Sequence, residues 1–334
     1  MNKSTAKSTD TTEGLTASLF SFLRNNLNAI SLLIGLIITA AIFSLNSDAF
    51  LTLANILNIL RSAAFLGIVT WGMTLVITTG EIDVSVGPAV AFSAVLLGWL
   101  ATHHGLPLFL AIIIVIVTVT LVGYLGGYIR ARFNVPSFVT TLALWSIYDG
   151  MKQLLSNNQP IPVKSEAFKV WANGSILGIP NPILIAGILF LIFLYITKQT
   201  VYGRSLYAVG GNAKAAYASG INVRQIRASV FAITGLLSAI TGILQVSRLG
   251  TATGQIATGL EFSSIAAVVI GGTALSGGRG LILGSLLGVL FISLIANGLV
   301  LIGVNSQAQN VVRGVLILVA VLVNVVFKRE SKVI

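Results

Sequence analysis

Long apolar runs separated by short polar breaks set the pattern of this chain. Runs close to the roughly 17–25 residues that cross a bilayer as a helix fall near residues 29–45, 62–79, 88–102, 106–129, 136–155, 182–197, 228–247, 260–275, 281–301 and 307–327. The pattern predicts an all-α polytopic membrane protein with about ten transmembrane helices and both termini on one side. Residues 1–13 are polar and read as a disordered tail, after which Leu15, Leu19, Phe22 and Leu23 have the spacing of a helix lying on the membrane surface. Residues 1–27 are thus a tail with an interfacial helix, 28–327 the membrane domain and 328–334 a second tail. No small-residue cleavage signature follows the first run, so it is expected to be a retained span. Helix-start signals fit this division. Thr258 with Glu261, and Ser306 with Gln309, have capping-box spacing before apolar runs, and Pro88, Pro136 and Pro182 sit where first-turn prolines belong.

The longest polar interruption, residues 202–227, carries Arg204, Lys214, Arg224 and Arg227 and no acid. Basic loops stay on the cytoplasmic side, so this segment is assigned there. Fourteen of the twenty lysines and arginines then fall on that side, which supports cytoplasmic termini. Within the segment, residues 213–220 read as a short helix ended by Gly220, with Gly210-Gly211 breaking the chain just before. A short helix held away from the membrane suits docking to a cytoplasmic partner. The largest loop on the other side is 156–181, stiffened by Pro160, Pro162 and Pro180.

Composition sharpens the class. Hydrophobic residues make up 55% and charged residues 9% of the chain, against roughly 25% charged in a soluble domain. The net charge of +11 would suit nucleic acid in a soluble protein, but here it follows the loops, so no nucleic-acid partner is expected. With no cysteine, disulfides and thiolate metal sites are excluded. The 34 glycines fit closely packed membrane helices.

Candidate chemistry is sparse. The stretch GEIDVSVG at 80–87 places two carboxylates between apolar spans. Either they lie at membrane depth, where Asp83 and Ser85 could hold polar cargo or pin helices, or they are solvated in a short cytoplasmic turn. The stretch GGTALSGGRG at 271–280 shares Gly, Ser and Gly with 80–87 at a constant offset of 191 residues, the mark of a duplicated half. Its glycines could cradle a phosphate, but no G-x-x-x-x-G-K-[ST] pattern and no Gly-Lys pair occur. A tight turn with close helix packing is expected instead, and the chain is not expected to hydrolyse ATP itself. His103-His104 reads as a solvated turn, Asp149 and Lys152 as a local ion pair, and Arg313 as reaching outward from the last span. Glu261 reads as a capping residue, with a gate role as the sharper alternative. No metal site and no catalytic set is visible within the spans. Ser62, Thr74, Thr78 and Asn297 are further candidates for lining a translocation path.

Five blocks carry a resemblance: VITTGEIDVSVG (76–87), NVPSFVTTLALW (134–145), YGRSLYAVGGNAKAAYASGINV (202–223), TGLEFSSIAAVVIGGTALSGGRG (258–280) and NGLVLIGVNS (297–306). From about Asn46 to Phe327 the chain resembles the permease subunits of bacterial ATP-binding-cassette (ABC) importers for monosaccharides, the ribose-permease-like family. Ala215 and Ala216 followed by Gly220 look like the core of the coupling loop of such importers, here 198–227, with Gly203, Arg204, Gly210 and Gly211 in the same block. Lys214 stands where many such loops have glutamate, and Glu81 where the family commonly has glycine. The resemblance implies a fold like the vitamin-B12-type (type II) importers and a permease in the bacterial inner membrane, in contact with lipid. It also implies a second permease subunit (identical or a paralogue), separate ATPase subunits that bind the ATP, and a periplasmic sugar-binding protein. The chain itself would need no cofactor and move a monosaccharide or related polyol. An ion-coupled secondary carrier using Glu81 and Asp83 is the alternative, and an intramembrane enzyme a third reading that lacks a visible base or metal set.

Overall fold

The computed structural model describes residues 30–330; the expected tail and interfacial helix lie outside them. Helix α1 spans Ile30–Asn46. Helix α2, Leu53–Thr78, begins nine residues before the apolar run at 62, with Thr52 as its cap. Asn55 interrupts the apolar pattern there, yet its side chain exchanges hydrogen bonds of 3.0 and 2.9 Å with Asn297, so the helix can start on a polar turn. Helix α3, Val86–Gly98, runs on through a π-helical turn at Trp99–His103, where His104 packs edge-on against Trp99. Helices α4 (Leu108–Phe133) and α5 (Ser137–Ser156) follow, each closed by an asparagine with positive φ, Asn134 and Asn157.

Helix α6 is Glu166–Asn173 and α7 is Asn181–Gln199. The segment read as a coupling loop is mostly helical. It comprises α8 (Val201–Gly211), α9 (Ala213–Ala218) and the first turn of α10 (Val223–Leu249). Gly210 and Gly211 end α8 rather than break it. The chain closes with α11 (Leu260–Ile270), α12 (Ile282–Leu301) and α13 (Ser306–Glu330). Among the described residues, α2, α3 with its π turn, α4, α7, α10 and α12 are six helices long and apolar enough to cross a membrane; α1 and α11 are shorter apolar helices.

Helices α2, α3 and α10 form the interior, with 83%, 78% and 67% of their most apolar stretches buried, whereas α4 and α7 are 28% and 22% buried. The outer helices turn apolar side chains such as Phe109, Leu121, Leu191 and Tyr195 outward, a surface suited to lipid. Glycine sets the closest approach. A methyl group on Gly123 would lie 2.5 Å from the Phe231 carbonyl oxygen, and one on Gly235 2.6 Å from that of Val119. Gly123 and Gly127 have the G-x-x-x-G spacing that lets backbones meet, and both face α10.

One end of the bundle carries Arg130, Arg204, Arg224 and Arg227; the opposite end is covered by 156–181, which is a folded layer rather than an open loop. There β1 (Ile161–Pro162) pairs with β4 (Thr251–Ala252), and β2 (Ser175–Ile176) with β3 (Ile179–Pro180). Ser247 of α10 donates to the Phe168 carbonyl at 2.5 Å and accepts from Ala172 N at 3.0 Å, seating α6. Neither capping box forms. Gly259, at φ 74°, occupies the cap position of α11, and Thr258 donates to the Gln255 carbonyl instead. Before α13 the cap is Asn305, which accepts from Ala308 N at 2.8 Å; asparagine outranks serine's neighbouring claim because its carbonyl already points at the free N–H. The segments around 80–87 and 271–280 meet at the basic end. The helices before them end at Thr78 and Ile270, close to the offset of the motifs, whereas those after begin at Val86 and Ile282, where the even spacing is lost.

Candidate functional site

Helix α9 projects from the basic end and is defined at both termini. The Asn212 side chain accepts from Lys214 N and Ala215 N, both at 3.1 Å. At the other end Gly220 adopts φ 83°, its N–H bonding to Tyr217 O and that of Ile221 to Ala216 O. This paired closure is a Schellman motif, which needs a left-handed residue and hence favours glycine. Ala216 is buried, whereas Lys214, Ala215 and Tyr217 are exposed, as is Arg204 on α8. Gly203 seats α8 against the Ile196 and Thr197 carbonyls, where any side chain would collide. Tyr202 bonds Ser229 of α10 at 2.7 Å, and the Tyr207 hydroxyl donates to Gly280 O at 2.9 Å. Burial holds both phenols above their ordinary pKa.

Helix α8 is joined to the interior by bare backbone. Gly278 N donates to Thr78 O at 2.9 Å. Gly210 lies against that bond, leaving no room for a methyl group, which would meet Thr78 O and Gly278 N. A side chain on Gly277 would lie 2.8 Å from Gly80 N and 2.9 Å from Gly210 O, and one on Gly280 would strike the Thr78 hydroxyl. Gly80, Gly277 and Gly278 all have positive φ. Three segments far apart in sequence therefore share one glycine junction. Gly211 also packs its backbone on Gly278, but a side chain on it would point into open space.

Residues 81–85 run without helical structure from this junction to α3. Their backbone polar groups find hydroxyls: Ser137 accepts from Ile82 N at 3.1 Å, and Thr141 accepts from Val84 N at 3.3 Å while donating to Ile82 O. Such pairing is required where water cannot reach. The reading of solvated acids in a turn fails here, because Glu81 is 1% and Asp83 3% exposed. Glu81 stands between two arginines, with Arg130 Nε 2.7 Å from Oε2 and Arg227 Nε 2.8 Å from Oε1, the latter as an ion pair off the hydrogen-bonding line. Asp83 accepts from Ser85 N at 2.9 Å, from Ser85 Oγ at 2.6 Å and from Thr234 Oγ1 at 2.9 Å. Asp83 and Ser85 thus pin α10 to the unwound stretch. Sequence did not pair either arginine with Glu81; an acid with basic helix ends nearby was the signal available.

The remaining path candidates are dispersed. Ser62 is exposed on α2. Thr74 is buried and bonds Ser285 Oγ at 2.8 Å, Thr78 belongs to the glycine junction, and Asn297 is held by Asn55. Glu261 is 4% exposed and makes no capping bond; its Oε2 has no hydrogen-bond partner and fits only because Gly87 lacks a side chain. It borders a cavity of about 270 Å³ between α3, α5 and residues 253–259. Asp149 and Lys152, also at this cavity, form the expected ion pair at 2.6 Å. Arg313 turns toward the same region, 3.4 Å from Thr258 O. Among the described residues no group of three or more His, Asp or Glu could hold a metal ion.

Residues 55–321 match the family described as the branched-chain amino acid transport system / permease component. The chain is 50% identical over 319 residues to the probable ABC transporter permease protein YphD of Escherichia coli K12, covering 96% of each chain. It is 40% identical to the ribose import permease protein RbsC of Haemophilus influenzae, covering 86% of this chain and 90% of that one. Identity to the L-arabinose ABC transporter permease protein AraH of Azospirillum brasilense is 34%, covering 84% and 83%. No solved structure matches. With its apolar helices and these relatives, the chain is a multi-pass bacterial membrane protein that belongs to the permease-component family of ABC transporters, in its ribose-permease-like branch.

Proposed function

We propose that the chain is the membrane-spanning subunit of an ATP-driven importer for a monosaccharide or related polyol in the bacterial inner membrane. The relatives named for ribose and arabinose support the cargo class. The observation that carries the mechanism is α9: a six-residue helix, closed at both ends and exposed on Lys214, Ala215 and Tyr217. Its neighbour α8 is locked through Gly210 to the end of α2 and the 277–280 turn. Force applied to α9 by cytoplasmic ATPase subunits reaches the interior helices through that junction, since backbone in direct contact cannot yield without separating. ATP binding on the partner subunits then rocks the permease between outward-open and inward-open states. Ten membrane helices in a vitamin-B12-importer-like arrangement, cytoplasmic termini, a second permease subunit (identical or a paralogue) and a periplasmic binding protein complete this reading. Gly203, Arg204, Gly210, Gly211, Ala215, Ala216 and Gly220 form the coupling element.

The alternative of an ion-coupled carrier draws no support from the two acids. Glu81 is engaged by two arginines and Asp83 by three hydrogen-bond donors, so neither has a free site for a travelling ion. The deciding test is reconstitution in sealed vesicles. With ATPase subunits, binding protein and ATP, radiolabelled D-ribose, L-arabinose or D-fructose should accumulate, and dissipating the proton gradient should leave uptake intact. Accumulation by the chain alone would overturn the proposal.

A further inference from the structure

We propose that the cavity between α3, α5 and α11 is a transient subsite for one polyhydroxylated ring, with Glu261 as its principal hydrogen-bond acceptor. This rests on the importer reading above and adds to it the place where cargo touches the permease. The first observation is a buried carboxylate on the cavity wall. Glu261 is 4% exposed and lines the cavity; its Oε2 is closed in against Gly87 without a hydrogen-bond partner, so the acceptor it can offer the cavity is its other oxygen. The second is the framing. Helix α11 has 11 residues, about 16 Å at 1.5 Å per residue, too short to cross a membrane by itself. Helix α3 starts only after the unwound stretch 81–85. The first turns of both helices, at Gly87 and Glu261, border the cavity, as half-helix starts do at transporter binding sites.

Charge selects the ligand class. Asp149 is already paired with Lys152 at 2.6 Å and accepts from Gln153 Nε2 at 2.6 Å, so its charge is answered. Lys152 and Arg313 lie close enough to Glu261 to balance its charge too. The two acids and two cations sum to zero, which disfavours a metal or organic cation and an anion alike. What remains is acceptor capacity on Glu261, which the Trp145 indole N–H also engages, spare N–H donors on Lys152, and the Trp145 side chain on the cavity wall. A neutral ligand bearing hydroxyls that both donate and accept, with one apolar face, fits that set. The volume of about 270 Å³, just below the ~300–1,000 Å³ of ordinary small-molecule sites, admits one sugar ring and not two.

The absence of cysteine makes this directly testable, because an introduced thiol is the permease's sole one. In the assembled transporter, Gln153→Cys on the cavity wall and, as a remote control, Asp48→Cys in the exposed turn between α1 and α2 are labelled with a maleimide, and labelling of the permease is followed by intact mass. D-ribose, L-arabinose, D-fructose and, separately, NaCl and KCl are the probes. The transported sugar should slow labelling at 153 and not at 48. Adding Glu261→Gln, which keeps the shape of the side chain, should raise the half-protecting sugar concentration by about tenfold or more, the loss of one charge-assisted hydrogen bond; Glu261→Ala should abolish protection. If the complex imports a sugar that never protects position 153, or protects it equally in Glu261→Gln, the subsite is refuted while the importer reading stands. Equal protection by NaCl or KCl also refutes it. Import of no monosaccharide by the unmodified complex removes the importer reading and the subsite with it.

Discussion

Replacing Gly210 with alanine separates two opposing effects. Gly210 lies in helix α8, so intrinsic propensity favours alanine by about 1 kcal/mol. Packing opposes it. The new methyl group would overlap Thr78 O and press on Gly278 N, both backbone atoms that cannot swing aside. Relief requires moving α8 away from α2 and lengthening the 2.9 Å bond from Gly278 N to Thr78 O. Overpacking costs about 1–3 kcal/mol, and a buried backbone group left unsatisfied about 1–3 kcal/mol more. The net destabilisation should be about 1–5 kcal/mol, so packing outweighs propensity. Gly211→Ala, whose side chain would point into open space, isolates the propensity effect and should be neutral or slightly stabilising. In the reconstituted complex Gly210→Ala should melt earlier in detergent and retain ATP hydrolysis while losing most sugar uptake. Equal melting and equal uptake for Gly210→Ala and the parent would refute the junction as the mechanical link.

Three further outcomes follow from the same geometry. Asp83→Ala removes the acceptor of three bonds and should cost about 3–5 kcal/mol. Asp83→Asn keeps one oxygen and turns its amide toward Thr234, whose hydroxyl can donate to Phe231 O instead, so it should cost less than about 1 kcal/mol; chemical denaturation that ranked the two equally would contradict this account. Glu81→Gln leaves Arg130 and Arg227, 13% and 19% exposed, facing each other without a counter-charge. Stranding buried charges costs about 3–5 kcal/mol, but both arginines reach solvent, so about 2 kcal/mol is expected as an earlier melt; an unchanged melting temperature would argue against the clamp. Gly220→Leu forces a bulky residue into the left-handed region at about 1–2 kcal/mol, enough to fray a six-residue helix. Uptake should be abolished with membrane insertion normal, and full transport at parental expression would remove α9 from the coupling path.

The helices were largely legible because their cause is local. An apolar run long enough to cross lipid must satisfy its own backbone, and only a helix does so within one segment. The short helix at α9 was legible for the same reason, since Asn212 and Gly220 cap it from within a few residues. Helix starts were less so. The Thr258 and Ser306 caps failed because neighbouring Gly259 and Asn305 met the geometry first. The early start of α2 depended on Asn297, whose partnership with Asn55 spans 242 residues.

The candidate site divides along the same line. Gly210 and Gly211 look alike as letters, yet a side chain on the first would strike Thr78 O while one on the second would point into open space. Glu81 looks like a solvated acid until Arg130, 49 residues away, and Arg227 close around it. Glu261 has the spacing of a cap and instead stands in a cavity made by α3 and α5. By itself the sequence determined that this chain crosses a membrane as packed helices and carries one long basic segment between them, because run length and charge placement act residue by residue. Tertiary structure decided which glycines bear contacts, which acids are paired and where a cavity remains, because those outcomes depend on atoms brought together from distant parts of the chain.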